Sequence, residues 1–153
     1  MKTPKLYIDT SVIGGCLDEE FSEESNRLVD AAKSGKALFV VSDVVFEEIL
    51  LAPREVQDIL SSIPTEALET LTESSAVMEL RDAYLAAKIL GPKSRNDAIH
   101  VAYATVARVD AIVSWNFKHI VRFDKIKSFN QVNFQNGYGI LQIVSPKEVL
   151  FDE

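Results

Sequence analysis

From Ala98 to Val109 the chain is apolar on nearly every side, and Arg108-Val109-Asp110 then turn into Ala111-Ile112-Val113. A helix without a polar face has to be covered all round. The run after the turn is too short and too β-branched for another helix, so it reads as a buried strand. One helix feeding one such strand demands protein on both sides of each. Ser94 or Asn96 can cap that helix, and Asp97 falls in its first turn, where a carboxylate suits the helix dipole. The strand runs out at Ser114-Trp115-Asn116.

The remaining chain repeats the alternation. Lys5–Ile8 is a short apolar strand ending at Asp9-Thr10-Ser11, and Val12 to Gly15 form a turn into a helix over about 17–33. Gly35 stops that helix, and Ala37–Val41 reads as a second buried strand. Ser42 or Asp43 caps a helix to about Ala52, Pro53 starts another over 54–62, and Pro64 ends it. Residues 67–71 fit a third strand or a helical turn. A long helical period covers 73–90, residues 121–138 read as part helix and part loop, and 140–144 as a last strand. Continuous apolar strands alternating with helices predict an α/β fold with a parallel sheet covered on both faces.

With 153 residues, the chain has one domain's worth of length, 1–153, and enough to bury a core. No apolar run approaches 18 residues and the first residues are Lys2, Pro4 and Lys5, so neither a membrane span nor a signal peptide is expected and the cytoplasm is the default location. The single Cys16 cannot pair internally and is expected in the core or at a helix start. A net charge of −7 argues against holding nucleic acid by bulk electrostatics. That charge is uneven, with 16 acids against 5 bases over 17–82 and 8 bases against 3 acids over 88–127. Two different partners could use the two halves.

In parallel sheets the ligand crevice lies beyond the carboxyl ends of the strands, where the strand order reverses. Asp9 follows the first strand, Asn116 follows the late one, and Asp97 opens the helix feeding it. A fourth group follows from helix geometry. The apolar side chains over 44–52 define a direction from which Glu48 deviates by about 65° and Glu47 by about 165° on a 100°-per-residue wheel. Glu48 therefore faces the edge of the core and Glu47 faces solvent. Clustered carboxylates repel unless a cation sits among them. No Lys or Arg adjoins Asp9 or Glu48 in sequence, and no His or Cys spacing suggests zinc. Oxygen ligands alone point to Mg²⁺ or Mn²⁺ and to phosphoryl-transfer chemistry.

The succession YIDTSV, SDVVFEEI and NDAIHVAYATVARVDAIVSWNFKHI, with the tail NGYGILQIVSPKEV, resembles a PIN-domain ribonuclease of the VapC-like toxin type over essentially the whole chain. The resemblance implies a three-layer α/β/α sandwich and endonucleolytic cleavage of RNA dependent on Mg²⁺ or Mn²⁺. Matched residue by residue, it makes Asp9, Glu48 and Asp97 the metal-holding acids and Asn116 the fourth polar position, where many such domains carry aspartate. Thr10, Ser11 and Ser114 fall where hydroxyls orient the acids or touch phosphate. Arg95, Lys118, His119 and Arg122 would meet the RNA backbone. The resemblance also implies a homodimer and a cognate antitoxin. Trp115 and Phe117 flank Asn116 and could stack on a base, although Trp115 is expected in the core.

Other chemistries fit less well. A haloacid-dehalogenase-like phosphatase needs a second Asp two residues after Asp9, and position 11 is Ser. A receiver-type phosphoacceptor lacks its acid pair and late Lys. A catalytically silent PIN fold that binds RNA or protein is the non-enzymatic alternative, against which three intact acids speak.

Overall fold

The computed structural model describes residues 2–151. Five strands form one parallel sheet: β1 (Lys5–Ile8), β2 (Leu38–Ser42), β3 (Leu68–Leu71), β4 (Ala111–Val113) and β5 (Ile143–Val144), in the order β3-β2-β1-β4-β5. The chain steps outward from β1 to β2 and β3, then returns to place β4 on the other side of β1. The reversal of strand order thus falls between β1 and β4. Between them lie α1 (Thr10–Gly15), α2 (Ser22–Lys33), α3 (Asp43–Leu50), α4 (Arg54–Ser61), α5 (Ser75–Ala86), α6 (Arg95–Val106) and α7 (Phe123–Gln135). Helix α1 packs against α2, α3 and α4, while α5 packs against α6 and α7. This is the expected α/β/α sandwich.

The strands are continuous apolar runs because both faces are covered. Leu6, Tyr7 and Ile8 of β1, Phe39, Val40 and Val41 of β2, and all of β4 are buried. On the edge strand β3, Glu69 and Thr70 reach solvent. Helix α6 is apolar all round as its sequence demands, with Ala98 through Thr105 buried in one unbroken stretch. It ends where Arg108 takes a left-handed backbone (φ 55°) that turns the chain into β4.

Several boundaries differ from the sequence expectation. The turn expected over Val12 to Gly15 is a short helix, and α2 begins at Ser22 instead of near residue 17. Asp18 is the reason. Its side chain accepts from Glu20 N and its carbonyl from Phe21 and Ser22, so the acid-rich run is wound into turns ahead of the helix. Helix α5 is shorter than expected, capped by the Ser74 hydroxyl on Val77 N and ended before Lys88, whose φ is 57°. Strand β5 keeps only two residues. Asn130 holds both backbone groups of Leu141 with its amide, which leaves Ile140 83% exposed and outside the sheet.

Gly15 is a close-packing glycine. A methyl group there would lie 2.6 Å from Ser25 Oγ and 2.7 Å from Trp115 Nε1. Gly15→Ala is expected to destabilise by about 1–3 kcal/mol, the usual range for overpacking a closed core, despite the better helix propensity of alanine. Thermal denaturation checks this; an unchanged midpoint would mean that the indole can move aside.

Candidate active site

Parallel pairing sets the first contact. Ile8 pairs with Val113, so one residue further along, Asp9 and Ser114 leave the sheet side by side. Asp9 is 4% exposed and occupies the N-cap position of α1 without capping it, because both its oxygens are taken. Ser11 Oγ donates to Oδ1 at 2.6 Å and Ser114 Oγ donates to Oδ2 at 2.5 Å. The Ser11 hydroxyl also accepts from Trp115 N at 2.9 Å, and Ser114 Oγ accepts from Asn116 N at 2.9 Å. Burial pushes the Asp9 carboxyl up, against the opposing pull of His100 and the two serines. No lysine or arginine forms an ion pair with it among the described residues.

Glu48 is the inward-facing member of its pair, partly buried while Glu47 is exposed, as the helical wheel requires. The same wheel counted Leu50 and Leu51 as core, yet they are 72% and 90% exposed. Thr10 Oγ1 donates to Glu48 Oε1 at 2.6 Å, His100 Nε2 meets the same oxygen at 2.8 Å, and Asn96 Nδ2 reaches Oε2 at 3.4 Å. Burial pushes the Glu48 carboxyl up, but the hydrogen bonds and charge of His100, with those of Thr10 and Asn96, outweigh it and hold the carboxyl below the usual range.

Asp97, beside Asn96 at the start of α6, accepts from His119 Nδ1 at 2.8 Å. Asn116 Oδ1 in turn accepts from the backbone N–H of His119 at 2.9 Å. These groups form a circuit at the carboxyl edge of the sheet: hydrogen bonds run from Asp9 through Ser114, Asn116 and His119 to Asp97 and from Asn96 through Glu48 to Thr10, and the two runs are joined as chain neighbours at Asp97–Asn96 and Thr10–Asp9. All four polar positions and the three hydroxyls expected from the sequence lie on or against it.

The basic residues are a mixed set. Arg95 and Lys118 are exposed beside the site and form no ion pair among the described residues. Arg122 is engaged by Asp124 at 2.7 Å. His119 turns its Nδ1 to Asp97 at 2.8 Å. Trp115 is core, as expected, stacked on Phe21 at 4.1 Å and donating through Nε1 to Ser25 at 2.8 Å, while Phe117 is 47% exposed. Cys16 is buried and its thiol is pushed up to about 11, which suits a packing residue and not a nucleophile. Sequence reasoning missed Tyr7, Ser42 and His100. The available signal was His100 itself, three residues after Asp97 and hence on the same side of α6.

The donor set fits a hard divalent cation in its chemistry: carboxylate and amide oxygens, with a desolvated Asp9 that positive charge would relieve. Among the described residues, no three His, Cys, Asp or Glu side chains stand together as a ready-made ligand group. That is compatible with Mg²⁺, which keeps several waters, so that an acid can hold the ion through a bound water as well as directly.

The sequence matches no protein-family model and no curated protein. Solved structures do match. A toxin–antitoxin complex from Klebsiella pneumoniae is 16% identical, with a TM-score of 0.56 over 74% of this chain and 88% of that one. VapBC2 from Rickettsia felis, solved with a DNA fragment from its promoter, is 16% identical, with a TM-score of 0.57 over 92% and 98%. FitAcB from Neisseria gonorrhoeae is 13% identical, with a TM-score of 0.56 over 94% and 99%. The chain has a VapC-like PIN fold. At these identities the likeness is one of architecture. In this PIN fold the crevice at the β1/β4 reversal holds Asp9 and Ser114; Glu48 lies on the helix that follows β2 and Asp97 on the helix that precedes β4. No helix among the described residues is long and apolar enough to cross a membrane.

Proposed function

We propose that this protein is a metal-dependent endoribonuclease and the toxin of a toxin–antitoxin pair, acting in the cytoplasm as a single PIN-like domain and as a homodimer. The observation that carries the catalytic reading is the circuit of Asp9, Glu48, Asp97 and Asn116 at the point where the strand order reverses. Asp9, Glu48 and Asp97 would hold Mg²⁺ or Mn²⁺, and Asn116 completes the polar shell. A divalent cation in such a site makes its bound water more acidic and stabilises charge on a phosphodiester undergoing in-line attack. Ser11 and Ser114 hold both oxygens of Asp9 in place, and Thr10 does the same for Glu48. Arg95 and Lys118 offer charge to the RNA backbone from outside the circuit, with Arg122 and His119 contributing less because each is already paired.

The partner reading has its own support. One solved structure of similar shape is a toxin–antitoxin complex from Klebsiella pneumoniae. Between α3 and α4 lies a cleft of about 350 Å³ whose lining includes Phe46, Ile49, Leu50, Leu60, Ile63 and Leu68. With Leu51 exposed beside it, this face offers apolar area that a protein partner would gain by covering.

A silent binding module is the second reading, favoured by the fact that each carboxylate already has an internal donor. Cleavage of total RNA by purified protein in Mg²⁺, Mn²⁺ or EDTA separates the two. Cuts that require the metal support the nuclease; binding of RNA without cutting in either metal would leave the module.

A further inference from the structure

The polar groups buried most deeply beside the site are not its acids. Tyr7 and Ser42 are 0% exposed and His100 is 2% exposed. Ser42 Oγ lies 2.8 Å from Tyr7 OH, Tyr7 OH lies 2.8 Å from His100 Nδ1, and His100 Nε2 lies 2.8 Å from Glu48 Oε1. The carboxylate at the end of this chain can only accept, so Nε2 carries a proton. In the neutral ring Nδ1 is then an acceptor, Tyr7 donates to it, and Ser42 donates to Tyr7. With the ring neutral, every hydrogen points toward Glu48; a cationic ring would instead donate from Nδ1 to Tyr7 OH while keeping its bond to Glu48.

Four elements contribute one member each: β1, β2, α6 and α3. Burying three polar side chains is costly unless each is paired, and such networks, when fully satisfied, lock a unique arrangement. The ring of Tyr7 is held apart from its hydroxyl, stacked at 6.4 Å on Tyr103 and tilted at 5.8 Å against His100. A phenylalanine could fill the same space, so the hydroxyl has work beyond packing, and its only partners among the described residues are Ser42 and His100. We propose that Tyr7 and Ser42 are positioning residues that, acting through His100, aim the Glu48 carboxylate into the acidic site. The inference rests on the reading of Glu48 as an active-site acid.

The test compares full-length wild type, Tyr7→Phe and Tyr84→Phe. Tyr84 is an equally buried tyrosine whose hydroxyl bonds Thr105 and Asn133, so its variant reports what losing a core hydroxyl does to the fold alone. The readouts are the imidazole ¹⁵N shifts of His100 and the Glu48 carboxyl ¹³C shift in metal-free protein, Mn²⁺ affinity by calorimetry, and kcat and KM on RNA. Wild type should show His100 protonated at Nε2. Tyr7→Phe should mix its tautomers, move the Glu48 signal, weaken Mn²⁺ binding about tenfold, as loss of an outer partner of a metal ligand does, and lower kcat more than it raises KM. Thr10 still holds Glu48, so loss is partial. Tyr84→Phe should lower thermal stability and leave every one of those readouts at wild-type values. Unchanged His100 and Glu48 signals in Tyr7→Phe, or equal changes in Tyr84→Phe, would overturn the relay. Wild type that neither binds Mn²⁺ nor cuts RNA would overturn the nuclease reading instead, and the relay would still stand or fall on the two NMR signals.

Discussion

Asp9→Asn is expected to abolish metal-dependent RNA cleavage, lowering the rate by at least about 10²- to 10³-fold, the scale on which removing one electrostatic stabiliser acts. It should do so without unfolding the protein. Asp9 is buried with no lysine or arginine in contact among the described residues, and burial pushes its carboxyl up. A folded-state value above the unfolded one means that the acid form is favoured by folding. Its contribution is fully present at pH below the ordinary carboxylate range and is lost as pH rises through the folded value. Above that range folding therefore carries a cost at Asp9, and the neutral amide removes it while Ser11 and Ser114 keep a partner. Midpoints for Asp9→Asn at or above wild type in EDTA, with cleavage lost, are the expected pair of results. Active Asp9→Asn would remove this residue from the chemistry, and a collapsed variant would show that its place is structural.

The largest effect on stability is expected from Trp115→Ala, about 3–5 kcal/mol, the cost of truncating a buried aromatic side chain. Trp115 sits between Ser114 and Asn116 and stacks on Phe21 at 4.1 Å, tying the end of β4 to the turn before α2. Gly15 lies close under the indole, so the neighbouring backbone is already at its nearest approach and cannot move in to fill the space. Ser25 would lose its donor as well. The melting midpoint should fall by roughly 10 °C or more at a few degrees per kcal/mol, read by circular dichroism because this is the only tryptophan. Trp115→Phe keeps most of the ring and should cost less. A shift in Trp115→Ala below about 1 kcal/mol, the size of a single net hydrogen bond, would contradict the packing described.

The parts of this molecule legible in its sequence are those governed by a single period. β4 is legible to the residue because three β-branched or small apolar residues between a turn and a polar exit leave no other choice. The 3.6-residue repeat separates Glu48 from Glu47, and their exposures agree. That repeat failed one turn later at Leu50 and Leu51, because the helix ends there and its last side chains leave the core. Helix α1 escaped notice because six residues containing two glycines show neither periodicity nor propensity. The long-range partners escaped for a different reason. The hydroxyl of Tyr7 is carried by a residue that reads as one more apolar position of a buried strand, and its partners lie 35 and 93 residues away. His119 looked like a surface base since nothing in the sequence says that the loop after β4 folds back onto the start of α6.

Titration of Mn²⁺ into wild-type protein and into Asp97→Asn, followed by calorimetry, tests most directly the claim that this circuit of acids is a metal site. Saturable heat from wild type, with affinity at least about tenfold weaker in a folded Asp97→Asn variant, is the predicted result. Equal binding by both proteins, or none by either, would contradict it.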